Sequence, residues 1–532
     1  MKTNVLYYGD NLDILRNREY FPDECIDLIY LDPPFNSKKD YNILFKENGG
    51  VESEAQIKAF TDSWHWTQSA QDTYQDIVIN GPTKVGGLIG ALHETLGNND
   101  VMAYLVMMTA RLTELHRVLK STGSLYLHCD PTASHYLKLV LDQIFGPANF
   151  RNEIIWQRFT FHADAKRFGR VSDRLLFYSK KPDYMFNKLK SPFSDNYIAS
   201  KFTHFDSDER QFRLSDLNPP GGRGPIYEFH GVTKPWRVTK EKMLKLEAEG
   251  RIYTDSKVAQ LKRYLDELPG QSVHDIWTDI PPINSQAKER LGYDTQKPLA
   301  LLERIINASS NEGDIVLDPF CGCGTAVVAA QKLNRKWIGI DITHLAINLM
   351  RVRLKDSFGI KAEVIGEPAD LGGAKELASQ PDKYQFQWWA LGLVGARPAG
   401  DKKKGADKGI DGVINFIDDP TSKPKRAIVQ VKSGHVHVKD IRELKDVASK
   451  EAMGIFITLE PPTKEMSVEA VSAGYYHSPI WDKDYPKIQI ITIDELLHGK
   501  NIEMPPLTQA NVTFTKAQKI SKKQGEQPPL KL

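Results

Sequence analysis

The sequence predicts an α/β architecture built around a doubly wound, parallel sheet, and three observations carry that expectation. Strands and helices alternate over residues 1–145. The same rhythm returns over residues 298–365. There a Gly-rich loop joins an apolar strand to a helix, the junction that doubly wound folds use at their ligand-binding edge. At 532 residues with 41% hydrophobic content, the chain has room for roughly two to four domains. A peptide, a disulfide miniprotein and a mostly disordered chain are excluded.

Residues 5–8 read as a strand, 11–17 as a helix and 26–31 as a second strand. Beyond residue 100, Leu105, Met108, Leu112, Leu115 and Leu119 recur at helical spacing. A strand over 124–128 and a helix over 135–145 complete this part. Residues 160–285 lose the rhythm; they hold Pro219-Pro220-Gly221-Gly222-Arg223-Gly224-Pro225, scattered aromatics (Trp236 among them, read with Trp156 as core) and a short helical part within 240–268. A helix over 299–308, strand 315–317, helix 325–333, strand 337–341 and a further helix to about residue 354 restore it. Residues 366–383 read as a linker. A further small α/β unit spans 384–500, with strands at 412–417, 426–431 and 454–459 and a helix near 438–449. The tail, 501–532, reads as basic and disordered, its last 21 residues holding five Lys and one Glu.

Charge is balanced but uneven. The chain carries 70 basic and 68 acidic residues, net +2, yet residues 151–270 hold 23 Lys/Arg against 16 Asp/Glu, net +7, which leaves −5 elsewhere. A basic middle fits a polyanionic partner, and equally an ordinary solvated surface. The cysteines Cys25, Cys129, Cys321 and Cys323 are too few for a disulfide framework, and Cys-x-Cys lacks zinc spacing. The opening residues lack a signal-peptide core and no apolar run reaches bilayer length, so a reducing, cytoplasmic setting without a membrane is expected.

Two loops carry candidate chemistry. In Val316-Leu317-Asp318-Pro319-Phe320-Cys321-Gly322-Cys323-Gly324-Thr325, the glycines let the backbone approach a ligand. Asp341 ends the next strand, where a carboxylate accepts from both hydroxyls of a ribose. The pattern lacks a third glycine and a Gly-Lys-Ser/Thr, so a nucleoside ligand or a structural tight turn remains. In Leu28-Ile29-Tyr30-Leu31-Asp32-Pro33-Pro34-Phe35, two prolines force the chain out of the sheet. A stiff loop with one carboxylate and one aromatic ring suits a flat ligand bearing an exocyclic amine; a capped strand exit with a surface aromatic is the plainer reading.

Together these stretches resemble the amino-DNA methyltransferases, which methylate N6 of adenine or N4 of cytosine with S-adenosylmethionine. Asp32-Pro33-Pro34-Phe35 is similar to their catalytic motif, and the resemblance implies that Asp32 and the Pro33 carbonyl hold the amino group while Phe35 stacks on the base. Asp318, Phe320, Gly322, Gly324 and Thr325 match the cofactor motif, with Asp341 beyond it. Asp294-Thr295-Gln296-Lys297-Pro298-Leu299 resembles the segment that helps hold the methionine end, and Tyr8-Gly9-Asp10-Asn11 the site that contacts the cofactor's adenine. The catalytic motif precedes the cofactor motif, as in the β-type permutation. That order implies a doubly wound, Rossmann-like S-adenosylmethionine-dependent methyltransferase domain with a catalytic part at 1–160, an inserted target-recognition lobe at 161–285 and a cofactor-binding part at 286–365. The Asp form with a terminal aromatic implies adenine N6, flipped out of double-stranded DNA; cytosine N4 and RNA stay open. Arg158, Arg167, Arg170, Arg223 and Arg237 are candidate DNA contacts or plain surface, and the resemblance allows a homodimer. Cys321 and Cys323 read as packing residues.

In the unit at 384–500, Asp411 precedes one strand and Gln430-Val431-Lys432 lies on another, with Gln430 and Lys432 on one face by alternation. Asp407 is a rival to Asp411. A carboxylate, a second oxygen ligand and a lysine suit a Mg2+-dependent phosphodiesterase, with Asp411 and Gln430 on the metal and Lys432 positioning water. The set resembles the Mrr-like branch of the PD-(D/E)xK nucleases. The resemblance implies a restriction endonuclease domain and a restriction–modification or defence component, with other such subunits as partners. A modification-only enzyme whose last unit merely holds DNA, and a non-catalytic DNA-binding regulator, stay open.

Overall fold

A computed structural model of the chain describes residues 1–34, 66–131, 133–159, 166, 168–255, 258–284, 287, 289–291, 293, 295–399, 409–418 and 424–505. Phe35, Arg167, Asp294, Asp407 and most of the basic tail lie outside the described residues. Nine strands join in one sheet: β1 (Val5–Tyr8), β2 (Ile26–Leu31), β3 (Leu119–Cys129), β4 (Phe150–Gln157), β5 (Ser172–Ser179), β6 (Ile276–Trp277), β7 (Ile315–Asp318), β8 (Lys336–Asp341) and β9 (Glu363–Ile365). Their order is β6-β4-β5-β3-β2-β7-β8-β1-β9. The strands from β3 through β9 in that order are parallel. The sheet as a whole is mixed, which corrects the all-parallel expectation, because β5 runs antiparallel to β3 and β4. No helix lies between β4 and β5 among the described residues, and successive strands without a crossover helix pair antiparallel.

The central strands are buried on both faces. Ile29 and Leu31 of β2 join a cluster with Leu105, Leu112 and Leu115 of the helix Asp100–Val118 and with Leu137 and Val140 of the helix Ser134–Phe145. Leu28 and Tyr30, just as buried, point to the opposite face. A two-sided environment explains why Leu28-Ile29-Tyr30-Leu31 is a continuous apolar run rather than an alternating one.

Lys188–His274 forms a compact unit of its own. The stretch expected as the lobe, 161–285, takes in this unit and also β5 and β6, which belong to the main sheet. The unit contains a four-stranded antiparallel sheet and a small core of Leu217, Phe229, Trp236, Met243 and Ala259. Trp236 is thus a core residue, as is Trp156 of β4, whose indole donates to the Ile280 carbonyl at 2.9 Å.

The carboxy-terminal part builds a five-stranded sheet in the order Arg397–Pro398, Gly412–Ile417, Pro424–Lys432, Met453–Thr458, Ile488–Thr492. The stretch expected as a linker carries a helix, Leu371–Ser379. Gly372 and Gly373 suggest a break, but the Asp370 side chain accepts from Gly373 N, and Ala374 and Leu377 pack with Phe386 and Trp389. The helix Lys383–Leu393 lies against the helix His344–Phe358: Asn348 Nδ2 donates to the Trp388 carbonyl at 3.1 Å, and His344 N donates to Gln385 Oε1 at 3.3 Å. Among the described residues no helix is long and apolar enough to cross a membrane.

Candidate functional site

The carboxyl ends of the neighbouring parallel strands β2, β7, β8 and β1 present Asp32, Asp318, Asp341 and Asp10, in that spatial order. Adjacent strands lie about 4.8 Å apart, so the four carboxylates form a row along the sheet edge. Each strand is short and apolar, and the chain turns away at its end, which is why four acidic residues distant in sequence converge.

The Gly-rich loop between β7 and the helix Thr325–Lys332 is clamped to β8. Gly322 N donates to Asp341 Oδ2 at 2.9 Å, and Thr343 N and Oγ1 each donate to Asp341 Oδ1 at 2.9 Å. The Cys321 amide and thiol both donate to the Ile340 carbonyl at 3.1 Å. Gly322 and Gly324 take φ of +49° and +73°, and a Cβ on Gly324 would stand 2.7 Å from Met350 Cγ. Beneath the loop, the buried Arg353 donates to the Cys323 carbonyl at 2.9 Å and to Thr325 Oγ1 at 3.2 Å. Phe320 N donates to Asp318 Oδ1 at 3.0 Å. Burial pushes Asp341 up to about 6. It pushes Asp318 well above the carboxylate range, and the charges of Asp32 and Asp341 add to that. Burial also raises the thiols of Cys321 and Cys323, which suits packing and not nucleophilic chemistry.

On the β1 side, Arg111 grips Asp10 with one nitrogen, 2.7 and 2.8 Å from its two oxygens, and donates through Nε to Asn11 Oδ1 at 2.5 Å. Asn11 Nδ2 in turn donates to the Pro319 carbonyl at 2.7 Å. Asp10, expected to contact an adenine, thus also ties the β1 exit to the Gly-rich loop, and it caps Leu12 N.

On the β2 side, Asp32 is ion-paired with Lys297, and only 16% and 12% of the two side chains is exposed. Pro33 behind it is buried. Gln296 ties its own segment, accepting from Leu291 N at 2.9 Å and donating to the Glu289 carbonyl at 2.6 Å. Pro298 is the N-cap of the helix Leu299–Ser309. Of these three residues, Lys297 alone is seen bound to the carboxylate row. Beside it runs a buried line: Tyr30 Oη and His128 Nδ1 are 3.0 Å apart, and His128 Nε2 and Asp173 Oδ2 3.1 Å apart. Arg158 stands 3.6 Å from Asp173. Burial opposes ionisation of Asp173, but His128, Arg158 and Lys297 outweigh it and hold the carboxyl down at about 2. Arg170, Arg223 and Arg237 are exposed.

In the carboxy-terminal sheet, Asp411 Oδ2 accepts from Val431 N at 2.7 Å. Gln430 is buried, its amide nitrogen so close to Gly409 that a Cβ there would lie 2.8 Å away. Lys432 pairs with Asp440 at 3.7 Å. Among the described residues no group of three or more His, Cys, Asp or Glu is placed to hold a metal ion.

Arg111, Arg353 and the Tyr30–His128–Asp173 line escape sequence reasoning. Only Arg111 leaves a trace, as a cation beside the apolar stripe Met108, Leu112, Leu115.

A model of the N6/N4 DNA methylase family, described as "DNA methylase", matches residues 26–351, and one described as "NACHT-associated inactive Restriction Endonuclease 1" matches residues 385–498. Type II methyltransferase M.EcaI of Enterobacter cloacae is 35% identical over 249 residues, 45% of this chain and 54% of that protein. The type III restriction-modification enzyme StyLTI Mod subunit of Salmonella typhimurium is 26% identical over 353 residues, 63% of this chain and 50% of that protein. This chain therefore spans about half the length of these two relatives. DNA adenine methyltransferase YhdJ of Escherichia coli is 25% identical over 368 residues, 69% of this chain and 87% of that protein. A solved structure from Thermus thermophilus, named "Putative DNA Modification Methylase" and complexed with S-adenosyl-L-methionine, aligns with 68% of this chain and 97% of that chain at 17% identity and a TM-score of 0.34. With the match to residues 26–351 covering more than half of the 532, the chain belongs to the N6/N4 DNA methylase family.

Proposed function

We propose that the protein is a site-specific DNA methyltransferase that uses S-adenosylmethionine to methylate N6 of a flipped-out adenine, as a component of a restriction–modification or defence system. The observation that carries this reading is the adjacency of β2 and β7, which sets Asp32-Pro33-Pro34 beside the Gly-rich loop. The residues fit the cofactor: Gly322 and Gly324 take positive φ where a Cβ would strike Tyr293 and Met350, which holds the loop tight against its neighbours, and Asp341 is a half-buried carboxylate at the strand end that accepts from Gly322 N, Thr343 N and Thr343 Oγ1 and keeps room for a further donor. When bound, S-adenosylmethionine supplies an electrophilic sulfonium methyl. Asp341 holds the ribose, and the loop Asp318–Thr325 cradles the remainder. A base stacked in a duplex cannot reach the sheet edge, so the target is flipped. Asp32 and the Pro33 carbonyl accept the two N–H bonds of its amine, which directs the nitrogen lone pair and raises its nucleophilicity. The Asp form of the motif and the adenine-specific relative YhdJ favour adenine. Modification-sensitive sequencing of DNA from cells expressing the chain is expected to show N6-methyladenine at one recurring sequence. N4-methylcytosine there would move the base assignment, and unmodified DNA would overturn the reading.

For the carboxy-terminal unit the favoured reading is a module that holds DNA without cutting it. Gln430 stands where a nuclease needs a second carboxylate, Lys432 is engaged with Asp440, and the matching family model is described as inactive. Incubation of unmethylated DNA with Mg2+ and the full chain is expected to give no cleavage, with Lys432→Ala indistinguishable. Cleavage abolished by Lys432→Ala would instead establish the Mrr-like nuclease. The StyLTI relative is named as the Mod subunit of a larger enzyme, which makes a restriction subunit a natural partner to look for.

A further inference from the structure

We infer that Lys297 is the positioning residue of the base site, fixing the carboxylate of Asp32 for the target amine, and does not hold the methionine end of the cofactor. The inference rests on the methyltransferase reading and assigns Lys297 a different job from the one its motif implies.

Lys297 emerges from a rigid point of the backbone. Gln296 before it is fastened to Leu291 and Glu289 through both ends of its amide, and Pro298 after it opens the helix Leu299–Ser309 with φ of −59°. From there its Nζ reaches Asp32 Oδ2. Asp32 leaves β2 on a loop stiffened by two prolines, so the pair joins two elements that have little freedom of their own.

An ionised carboxylate offers two oxygens with about four lone-pair sites. Lys297 occupies Oδ2, which leaves Oδ1 to accept an N–H from the base. An ammonium on one oxygen prevents rotation of the carboxylate, the condition under which the other oxygen serves as a directed acceptor.

Asp32 stands in a row with Asp318 and Asp341, and Asp173 lies nearby. Lys297 is the cation that acts on both Asp318 and Asp173 as well as pairing with Asp32. A largely buried carboxylate among others of its sign needs such a partner, and removing one member of a buried pair leaves the other uncompensated.

The test uses the full-length chain, Lys297→Met and Lys297→Arg, with three readouts: steady-state methyl transfer, calorimetric binding of S-adenosylhomocysteine, and thermal melting. In Lys297→Met, kcat is expected to fall roughly 100-fold, while the Kd for S-adenosylhomocysteine and the KM for DNA stay within about threefold. Lys297→Arg, which keeps the charge, is expected to recover most of kcat. A tenfold or greater rise in that Kd with kcat preserved would overturn the inference and return Lys297 to the cofactor. Unchanged kcat in Lys297→Met would overturn it too. Should the Met variant melt early, the Arg variant decides: normal melting with kcat below a tenth of wild type counts against positioning. Absence of methyl transfer by the wild-type chain on DNA carrying its site is a separate outcome, since it removes the methyltransferase reading itself.

Discussion

Asp32→Ala is expected to lower methyl transfer by roughly 1,000-fold or more, with S-adenosylmethionine affinity changed only severalfold. Asp32 ends β2, whereas the residues that fit the cofactor end β7 and β8, so the two functions lie on different strands. The lost contact is a hydrogen bond to an ionised acceptor, worth about 1.5–3 kcal/mol in ordinary settings. The amine also loses its orientation toward the methyl group, and alignment of a near-attack geometry contributes several kcal/mol more. An alanine in place of Asp32 would further leave Lys297 beside an empty acceptor position, placing a cation where the amine nitrogen must become nucleophilic. Transfer of labelled methyl groups to DNA, read against calorimetric cofactor binding, checks both halves. Turnover at the wild-type rate would remove Asp32 from the chemistry, and equal loss of binding and turnover would place it in the cofactor site.

What the sequence makes legible is local. The run Ile26–Leu31 ending at Asp32-Pro33, the Gly-rich turn after Asp318 and the carboxylate at the end of β8 all announce themselves through spacing and backbone restriction. What stays hidden depends on partners remote in the chain. Arg111 meets Asp10 across 101 positions, and Lys297 meets Asp32 across 265. Neither separation leaves a periodicity to read. His128 sits in the run Leu125-Tyr126-Leu127-His128-Cys129, where nothing local says that it faces Asp173 on an antiparallel neighbour. Expecting a parallel sheet conceals that pairing, because β5 is taken for part of an irregular lobe. The helix Leu371–Ser379 is masked in the opposite sense: two glycines signal a break that packing against Trp389 overrides.

The carboxy-terminal sheet is more than an appended unit. Tyr8, at the end of β1, stacks on His344 with ring centroids 3.6 Å apart, and His344 N donates to Gln385 of the carboxy-terminal part. The helix that begins at His344 follows directly on Asp341 and Thr343, so the carboxy-terminal core abuts the element that follows the Asp341 carboxylate.

That carboxylate gives the second large effect. Affinity for S-adenosylmethionine is expected to fall as pH drops through about 6, and Asp341→Asn is expected to lower it roughly 10- to 100-fold at pH 7.5 while flattening the profile. Burial raises Asp341 from its ordinary 3.8 to about 6. In the cofactor-free protein the sign follows directly: this group favours folding fully below 3.8, and that contribution is lost as pH rises through about 6. At neutral pH the folded protein therefore holds a half-buried charge at Asp341, answered by Gly322 N, Thr343 N and Thr343 Oγ1. A ribose hydroxyl donating to the ionised form offsets that cost, so binding favours the carboxylate and weakens once it is protonated. One such bond to a charged acceptor, at about 1.5–3 kcal/mol, corresponds to roughly 10- to 100-fold in Kd. Asn keeps the shape but turns one oxygen into a donor that faces a hydroxyl donor, and it has no proton to lose across this range. Calorimetry between pH 5 and 8 on both proteins tests the claim. A wild-type affinity that stays level from pH 5 to 7.5 would mean that Asp341 only holds the Gly-rich loop and that the ribose is recognised elsewhere along the row.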